Sequence, residues 1–397
     1  MPPLRISEWR KLPLSLTELC IDTTLRCGQS FRWQKINDEW NCVLHGRLLS
    51  LKQDESALHY KVTWPKNSPS SCKKIGGTDL QQEDDTEALL GHYFSLRHDL
   101  AALYDQWSEL DPNFKKKAPK FTGIRILSQD AWETLVAFIC SSNNHISRIS
   151  SMVNKLCVHY GPLIGHIGDE AFHDFPSPQA LIGKKVEAHL RELGFGYRAK
   201  YIVETAMIVS QQKPEGWLES LTNPENPGWA STPIPARDEP ITYRLAHEEL
   251  LLLSGVGPKV SDCVCLMGLG WSEAVPVDTH VWQIAQRDYR FGKSKTKTFS
   301  KATYHSIGDH FRQIWGPQAG WAQSVLFTAN LKSFAEQAAT DPKIVEVAVE
   351  IKQEITSETP PNTKKRRTSA LVEQIKIEND ETSGVKTIGR KRRKTRS

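Results

Sequence analysis

Between Leu250 and Cys263 the chain reads Leu-Leu-Leu-Leu-Ser-Gly-Val-Gly-Pro-Lys-Val-Ser-Asp-Cys, and few folds accommodate that string. An apolar helix must stop at the Gly-Val-Gly turn, because glycine reaches the positive-φ geometry of a tight turn. Pro258 then opens a second helix, where its missing N–H would be unpaired anyway. The backbone N–H groups of Gly255, Val256 and Gly257 in such a turn form a small anion cradle, and a phosphate of DNA is its natural ligand. Lys259 falls in the first turn of the second helix. The positive end of the helix dipole and partial burial both disfavour an ammonium there. A neutral amine is what nucleophilic Schiff-base chemistry requires. The turn alone nevertheless favours the plainer role, a lysine that contacts phosphate.

Nineteen positions on, Val275-Pro276-Val277-Asp278-Thr279-His280-Val281-Trp282 shifts that balance. Asp278 follows an extended segment and precedes a helical pattern, so it reads as an N-cap. Beside a nucleophilic lysine, the same carboxylate can stabilise the cationic sugar that forms as a glycosidic bond breaks.

Around this pair the chain divides in three. Short β-favouring runs (Phe31–Trp33, Trp40–Leu44, Leu58–Val62) fill the first hundred residues, a polar stretch at about 66–85 reads as a loop, and Glu87 to Trp107 is helical in spacing. From Asn113 to about Gln337 the pattern is almost all helix. Asp130 and Glu133 predict a capping box, followed by apolar Trp132, Leu135, Val136 and Ile139. Ile149, Met152, Val153 and Leu156 repeat the pattern, as do Val260, Cys263, Val264 and Met267, and Ala322, Val325, Leu326 and Ala329. The segment from Pro224 to Pro240 reads as a surface insertion. The predicted divisions are therefore 1–112, 113–338 and 339–397, the last charged, nearly free of aromatics and expected to be disordered.

Charge distribution limits what can be inferred from composition. The net charge is +5, and the residues from Asp341 onward, with 14 Lys+Arg against 9 Asp+Glu, carry all of it. Any nucleic-acid role of the folded part must rest on motifs. The tail's Lys364–Arg367 and Arg390–Lys394 runs resemble nuclear import signals, with nonspecific DNA binding as the alternative. Eight scattered cysteines form no CxxC pair and none lies beyond Cys265, which argues against a zinc site or an iron–sulfur cluster and suits a reducing compartment. No apolar run is long enough for a membrane span, and the first residues lack a secretory signal. The scarcity of arginine and serine there makes no strong case for a mitochondrial transit peptide, which leaves the mitochondrion open as a second location beside the nucleus.

Together the hairpin and the Val-Pro-Val-Asp segment resemble the helix-hairpin-helix DNA glycosylase superfamily. Gly28-Gln29-Ser30-Phe31-Arg32-Trp33, Phe138-Ile139-Cys140-Ser141-Ser142-Asn143-Asn144, Gly194-Phe195-Gly196-Tyr197-Arg198-Ala199 and Gly320-Trp321-Ala322-Gln323-Ser324-Val325-Leu326-Phe327 narrow the resemblance to the eukaryotic 8-oxoguanine DNA glycosylases, from about Trp9 to Leu331. The resemblance implies an α+β fold: an N-terminal antiparallel β domain like that of the TATA-binding protein, then a helical glycosylase body.

It also implies roles. Lys259 attacks the sugar C1′ and Asp278 supports the developing charge. Gly28 offers a carbonyl to the N7–H that distinguishes oxidised guanine, Gln323 reads the base edge, and Phe327 and Cys263 cover its faces. Without the family, core packing is the plainer reading of those last two. Asn143, Arg148, Tyr197 and Arg198 read the opposite cytosine, with Tyr197 as a wedge, and His280 contacts phosphate. The hairpin carbonyls of Leu251, Leu253 and Val256 can hold a cation; no other cofactor is implied. The implied partner is double-stranded DNA containing oxidised guanine, bound by a monomer in the nucleus, with an import receptor and repair proteins reached through the tail. Ser254, Pro258 and His145 depart from the family's usual residues. Two other readings compete. A glycosylase for alkylated bases often lacks the hairpin lysine, and adenine- or pyrimidine-directed members commonly carry a four-cysteine cluster absent here. A non-catalytic DNA-binding module would need neither Lys259 nor Asp278.

Overall fold

The computed structural model describes residues 4–65, 72–75, 78–81, 84–229, 239–291, 300–331 and Phe334. The basic runs at 364–367 and 390–394, and the whole predicted tail, lie outside the described residues.

The N-terminal part is an antiparallel sheet of six strands: β1 (Leu4–Ile6), β2 (Arg10–Pro13), β3 (Gln34–Ile36), β4 (Glu39–Leu44), β5 (Arg47–Gln53) and β6 (Ala57–Pro65). Its order is β1-β6-β5-β4-β3, with β2 also paired to β6. A short helix, α1 (Ile21–Thr24), interrupts the strands. The run Trp40–Leu44 falls in β4 and Leu58–Val62 in β6, as their composition predicts. Phe31–Trp33 does not form a strand. Phe31 instead packs edge-on against Phe138 of the helical body (5.6 Å between centroids), and the Trp33 indole donates to Tyr93 Oη at 2.8 Å. The stretch read as a loop contains a two-stranded ladder, β7 (Cys72–Ile75) with β8 (Thr78–Gln81).

Next come α2 (Thr86–Tyr93), α3 (Leu100–Leu110), α4 (Pro112–Lys117), α5 (Ala131–Ser141) and α6 (Ile146–Tyr160). Asp130 caps α5 by accepting from Glu133 N at 2.8 Å, but the capping box is not reciprocal: Glu133 turns its carboxylate to Arg32, 2.6 Å away. The expectation of nearly pure helix beyond residue 113 is corrected by a β-hairpin, β9 (Leu163–Ile167) and β10 (Glu170–His173). Phe172 packs there with Val43 and Leu48, and with the partly buried Ile164 and Ile167. The other face of the sheet packs against α2 through Leu89 and Leu90. A strand covered on both faces loses alternation, which is why five consecutive residues of β4 are buried.

The rest is helical: α7 (Lys184–Glu192), α8 (Arg198–Met207), α9 (Tyr243–Leu250), α10 (Pro258–Met267), α11 (Thr279–Asp288), α12 (Lys301–Trp315) and α13 (Ala319–Asn330). Each apolar repeat read from the sequence is buried in the main core, apart from Ala329, which is half-buried. The described start of the insertion is docked rather than loose: Trp229 packs on the sheet-domain core, and Asn226 donates to the Gly270 carbonyl at 3.3 Å.

Two buried arginines join sheet to helices. Arg125 donates to Glu18 Oε2 at 2.5 Å and to the carbonyls of Glu18, Ser95 and His98. Arg32 meets Glu133, Asp174 at 3.2 Å and the His173 carbonyl at 3.1 Å. Gln29 completes the seam with both ends of its amide, donating to Arg125 O at 2.8 Å and accepting from Leu127 N at 3.0 Å.

Candidate active site

The hairpin forms where the sequence places it. α9 ends at Leu250, the turn spans Leu251 to Gly257, and Pro258 is the first residue of α10. Gly255 has φ +76°, and a Cβ there would lie 2.6 Å from the ring of Tyr201 on α8. Only glycine satisfies both the backbone angle and the close approach. Ser254, a departure from the family, has a structural role: its hydroxyl donates to Glu204 at 2.5 Å and its carbonyl accepts from Thr205 Oγ1 at 2.9 Å. His145, another departure, caps α6 by accepting from Arg148 N at 3.4 Å.

A cleft of about 1140 Å³ opens beside this hairpin. Lys259, Asp278, Gly28, Asn143, Gly257, His280 and Phe327 all line it. Residues more than 200 positions apart are therefore brought to one wall system, with room for a base-sized ligand. Lys259 Nζ lies 3.2 Å from Ser141 Oγ and 4.8 Å from the centroid of the Phe138 ring. Among the described residues no carboxylate forms an ion pair with it. Asp278 is the N-cap of α11, accepting from Val281 N at 2.9 Å, as its position after Val-Pro-Val predicts. His280 is exposed and meets the Phe327 ring edge-on at 5.9 Å. Gly28 presents a left-handed backbone, φ +90°, to the cleft.

Cys263 and Gln323 are buried and are not among the residues that face the cleft. Burial pushes the Cys263 thiol up to about 12, against the pull of the Lys259 charge, so it stays a neutral, apolar group. Gln323 sits one turn before Phe327 on α13.

The four residues assigned to the opposite strand gather at the α5–α6 and α7–α8 connections. Asn143 is exposed with φ +49°. Arg148 is exposed and donates to the Gly194 carbonyl at 3.3 Å. Tyr197 is 47 % exposed and donates to the Ser142 carbonyl at 3.1 Å. Arg198 is only 3 % exposed: its guanidinium stacks over Tyr197 and donates to the carbonyls of Ser142 and, at 3.1 Å, Asn143. Its Nε has no hydrogen-bond partner among the described residues.

The sequence did not single out Phe138, Ser141 or Tyr304 as cleft residues. Phe138 and Ser141 were legible in hindsight, because they lie three apart on one face of α5 within a string already noted. Tyr304 carried no such signal. The hairpin carbonyls of Leu251, Leu253 and Val256 lie in the turn, and Leu253 O accepts from Val256 N at 3.3 Å. Among the described residues no cluster of His, Cys, Asp and Glu could hold a metal ion.

Comparison with known proteins places this arrangement. Residues 11–135 match the family model for the 8-oxoguanine DNA glycosylase N-terminal domain, and residues 136–306 match that for HhH-GPD superfamily base excision DNA repair proteins. The N-glycosylase/DNA lyase of Saccharomyces cerevisiae is 39 % identical over 348 residues, covering 82 % of this chain and 86 % of its own. That of Arabidopsis thaliana is 35 % identical over 333 residues, covering 82 % and 80 %. Among solved structures, MBOgg1 in complex with a low-affinity DNA ligand superposes with a TM-score of 0.64 at 26 % identity, over 83 % of this chain and 98 % of that one. The apo form of the Clostridium acetobutylicum 8-oxoguanine glycosylase/lyase shares the fold, with a TM-score of 0.63 at 24 % identity over 82 % and 98 %.

Proposed function

We infer how this cleft works from one premise: the chain belongs to the 8-oxoguanine DNA glycosylase family and is a bifunctional N-glycosylase and DNA lyase of base excision repair. The target nucleotide must leave the duplex for its glycosidic bond to reach the cleft. Lys259 Nζ then attacks C1′, the C1′–N9 bond breaks, and the base departs with the bonding electrons and a proton. Asp278, which lines the same cleft, stabilises the positive charge that spreads over C1′ and the ring oxygen. The amine loses its protons as the sugar ring opens to an imine. That imine acidifies the C2′ proton, whose removal expels the 3′ phosphate by β-elimination. Both activities thus use one amine.

The observation that carries this reading is the meeting of Lys259 and Asp278 in one large cleft, with the lysine free of any carboxylate among the described residues. An ion-paired lysine would be held away from a sugar carbon. Borohydride reduction tests it directly. A covalent protein–DNA adduct should form on duplex containing 8-oxoguanine and should vanish in Lys259→Gln; an adduct of equal yield in the variant assigns the chemistry elsewhere.

Base choice follows from one hydrogen bond. The N7–H of 8-oxoguanine meets the Gly28 carbonyl, whereas the N7 lone pair of guanine would leave that acceptor unsatisfied, a cost of about 1–3 kcal/mol. Phe327 stacks on the extruded base, Cys263 backs its other side, and Gln323 reads its edge once the base has entered. The formamidopyrimidine of guanine keeps the same donor and fits the same site. Asn143, Arg148, Tyr197 and Arg198 serve the opposite cytosine, whose O2 and N3 accept from arginine, and Tyr197 fills the vacated stack. Excision opposite cytosine should far exceed that opposite adenine, and equal rates would remove these residues from that role.

Gly255, Val256 and Gly257 grip a phosphate through backbone N–H groups, with His280 on a phosphate nearer the lesion. The carbonyls of Leu251, Leu253 and Val256 can seat a cation shared with that phosphate, since a carbonyl already accepting one bond keeps a second lone pair. The protein acts as a monomer in the nucleus, imported through its C-terminal basic runs, with residues 1–112, 113–338 and 339–397 as its functional divisions.

A further inference from the structure

α10 carries a second charged side chain that the chemistry above does not use. Asp262, three residues past Lys259, is 2 % exposed. No lysine or arginine pairs with it among the described residues. Its oxygens accept from Tyr243 Oη at 2.6 Å and from Tyr304 Oη, and His247 Nε2 stands 3.5 Å away. A carboxylate taken this far from water is costly unless its partners repay the lost hydration. Tyr243 and His247 belong to α9, the other arm of the hairpin, and Tyr304 belongs to α12.

Tyr304 does more than satisfy Asp262. A carboxylate only accepts, so the phenol donates its single proton there and keeps a lone pair. That lone pair receives the buried N–H of Val277 at 3.4 Å. Val277 directly precedes Asp278, and Tyr304 lines the same cleft as Lys259 and Asp278. One hydroxyl therefore fastens the helix that bears the nucleophile to the strand-like segment that bears the acid. The N-cap bond fixes Asp278 to its own helix, but it does nothing to set that helix against α10.

We propose that Tyr304 and Asp262 are positioning residues that hold Asp278 in register with Lys259 through the Val277 N–H. This rests on the roles given above to Lys259 and Asp278. Without the hydroxyl, Val277 N–H and one Asp262 oxygen are unsatisfied, and the segment shifts to find other partners. A displacement of an ångström in a reacting constellation costs about 100-fold in rate.

The test compares full-length Tyr304→Phe, Asp262→Asn and Tyr243→Phe with the unmodified protein on 8-oxoguanine duplex. Single-turnover excision, duplex Kd and melting temperature are measured for each. Tyr304→Phe should excise 10- to 100-fold more slowly with Kd changed less than threefold. Asp262→Asn keeps the side chain's size and one acceptor, and should fall between the two. Tyr243→Phe takes a hydroxyl from the same carboxylate without touching Val277, so it should lose melting temperature yet excise within threefold of the parent. A parental rate in Tyr304→Phe overturns the proposal. So does an equal rate loss in both tyrosine variants that follows their melting temperatures, since that marks general loosening. Borohydride trapping of the unmodified protein separates the two levels: if it fails, the role of Lys259 falls; if it succeeds while Tyr304→Phe is unaffected, only the positioning pair falls.

Discussion

At the seam between sheet and helices, Arg32 and Arg125 are buried, and both guanidinium groups are matched by carboxylates and backbone carbonyls. At the cleft, Lys259 is half-buried and meets a serine hydroxyl and an aromatic ring, with no carboxylate among the described residues. The contrast separates two uses of a basic side chain. A buried charge that holds domains together must be neutralised on every side, and loses stability when a partner goes. An amine destined for nucleophilic attack must give up its proton, so its surroundings position it without a carboxylate that would hold the charge in place. Asp278 follows the second pattern, with its carboxylate engaged by the backbone N–H of Val281.

The largest effect should come from the unpaired side. Lys259→Gln should reduce excision by about four orders of magnitude or more, as removal of a covalent nucleophile does. Lesion-duplex Kd, measured by gel shift, should stay within about threefold. A loss of binding that matches the loss of excision would erase the distinction between the two uses.

The paired side should fail differently. Arg125→Ala takes the cation from Glu18, which keeps the N–H groups of Leu100 and Ala101, and takes the donor from three carbonyls, a loss of about 3–5 kcal/mol in denaturant unfolding. The fraction that remains folded should still excise at the parental rate. Unchanged unfolding would show that the seam does not depend on this charge.

Gly255→Ala probes the turn beside the lysine. A methyl at φ +76°, 2.6 Å from the Tyr201 ring, strains the backbone by about 1–3 kcal/mol. It should weaken binding to lesion and undamaged duplex alike, measured by anisotropy. Selective loss on the lesion duplex would assign the turn to base recognition instead of phosphate.

Asp22 in the sheet domain gives the smallest effect. Burial alone would raise its carboxyl, but hydrogen bonds from Trp40 and Lys35, with the charges of Lys35 and Arg26, hold it below the usual value. A depressed folded pKa contributes stability above about pH 4 that is lost as pH falls through the folded value. The side chain is 55 % exposed, so solvent screening leaves only about 0.5 kcal/mol. Asp22→Asn should therefore be slightly less stable at pH 7, and the gap should close in acid. A gap that widens in acid would reverse the sign.

What could be read from the sequence was local. The caps Asp130 and Asp278, the start of α10 at Pro258 and the apolar faces of α5, α6 and α10 depend on neighbours within one or two turns. What could not be read depends on distant chain. Phe31–Trp33 has strand composition but is taken over by Phe138 and Tyr93. The hairpin of β9 and β10 is stabilised by Val43 and Leu48, more than a hundred residues earlier. Arg198 looks like a free surface arginine at a helix start, and its burial follows from carbonyls 55 and 56 positions away. The four strings that carried the family resemblance mix both kinds of information. In the first, Gly28 lines the cleft while Gln29 and Arg32 only hold the seam.

Helix α8 has a consequence of its own. Its start carries Tyr197 and Arg198, and within two turns Tyr201, Glu204 and Thr205 press on the Ser254–Gly255 turn. The span from Tyr197 to Thr205 is about 12 Å at the rise of an α-helix. A rod this short does not bend, so any tilt that moves the tyrosine ring is transmitted to the hairpin. The two ends of α8 therefore move as one body.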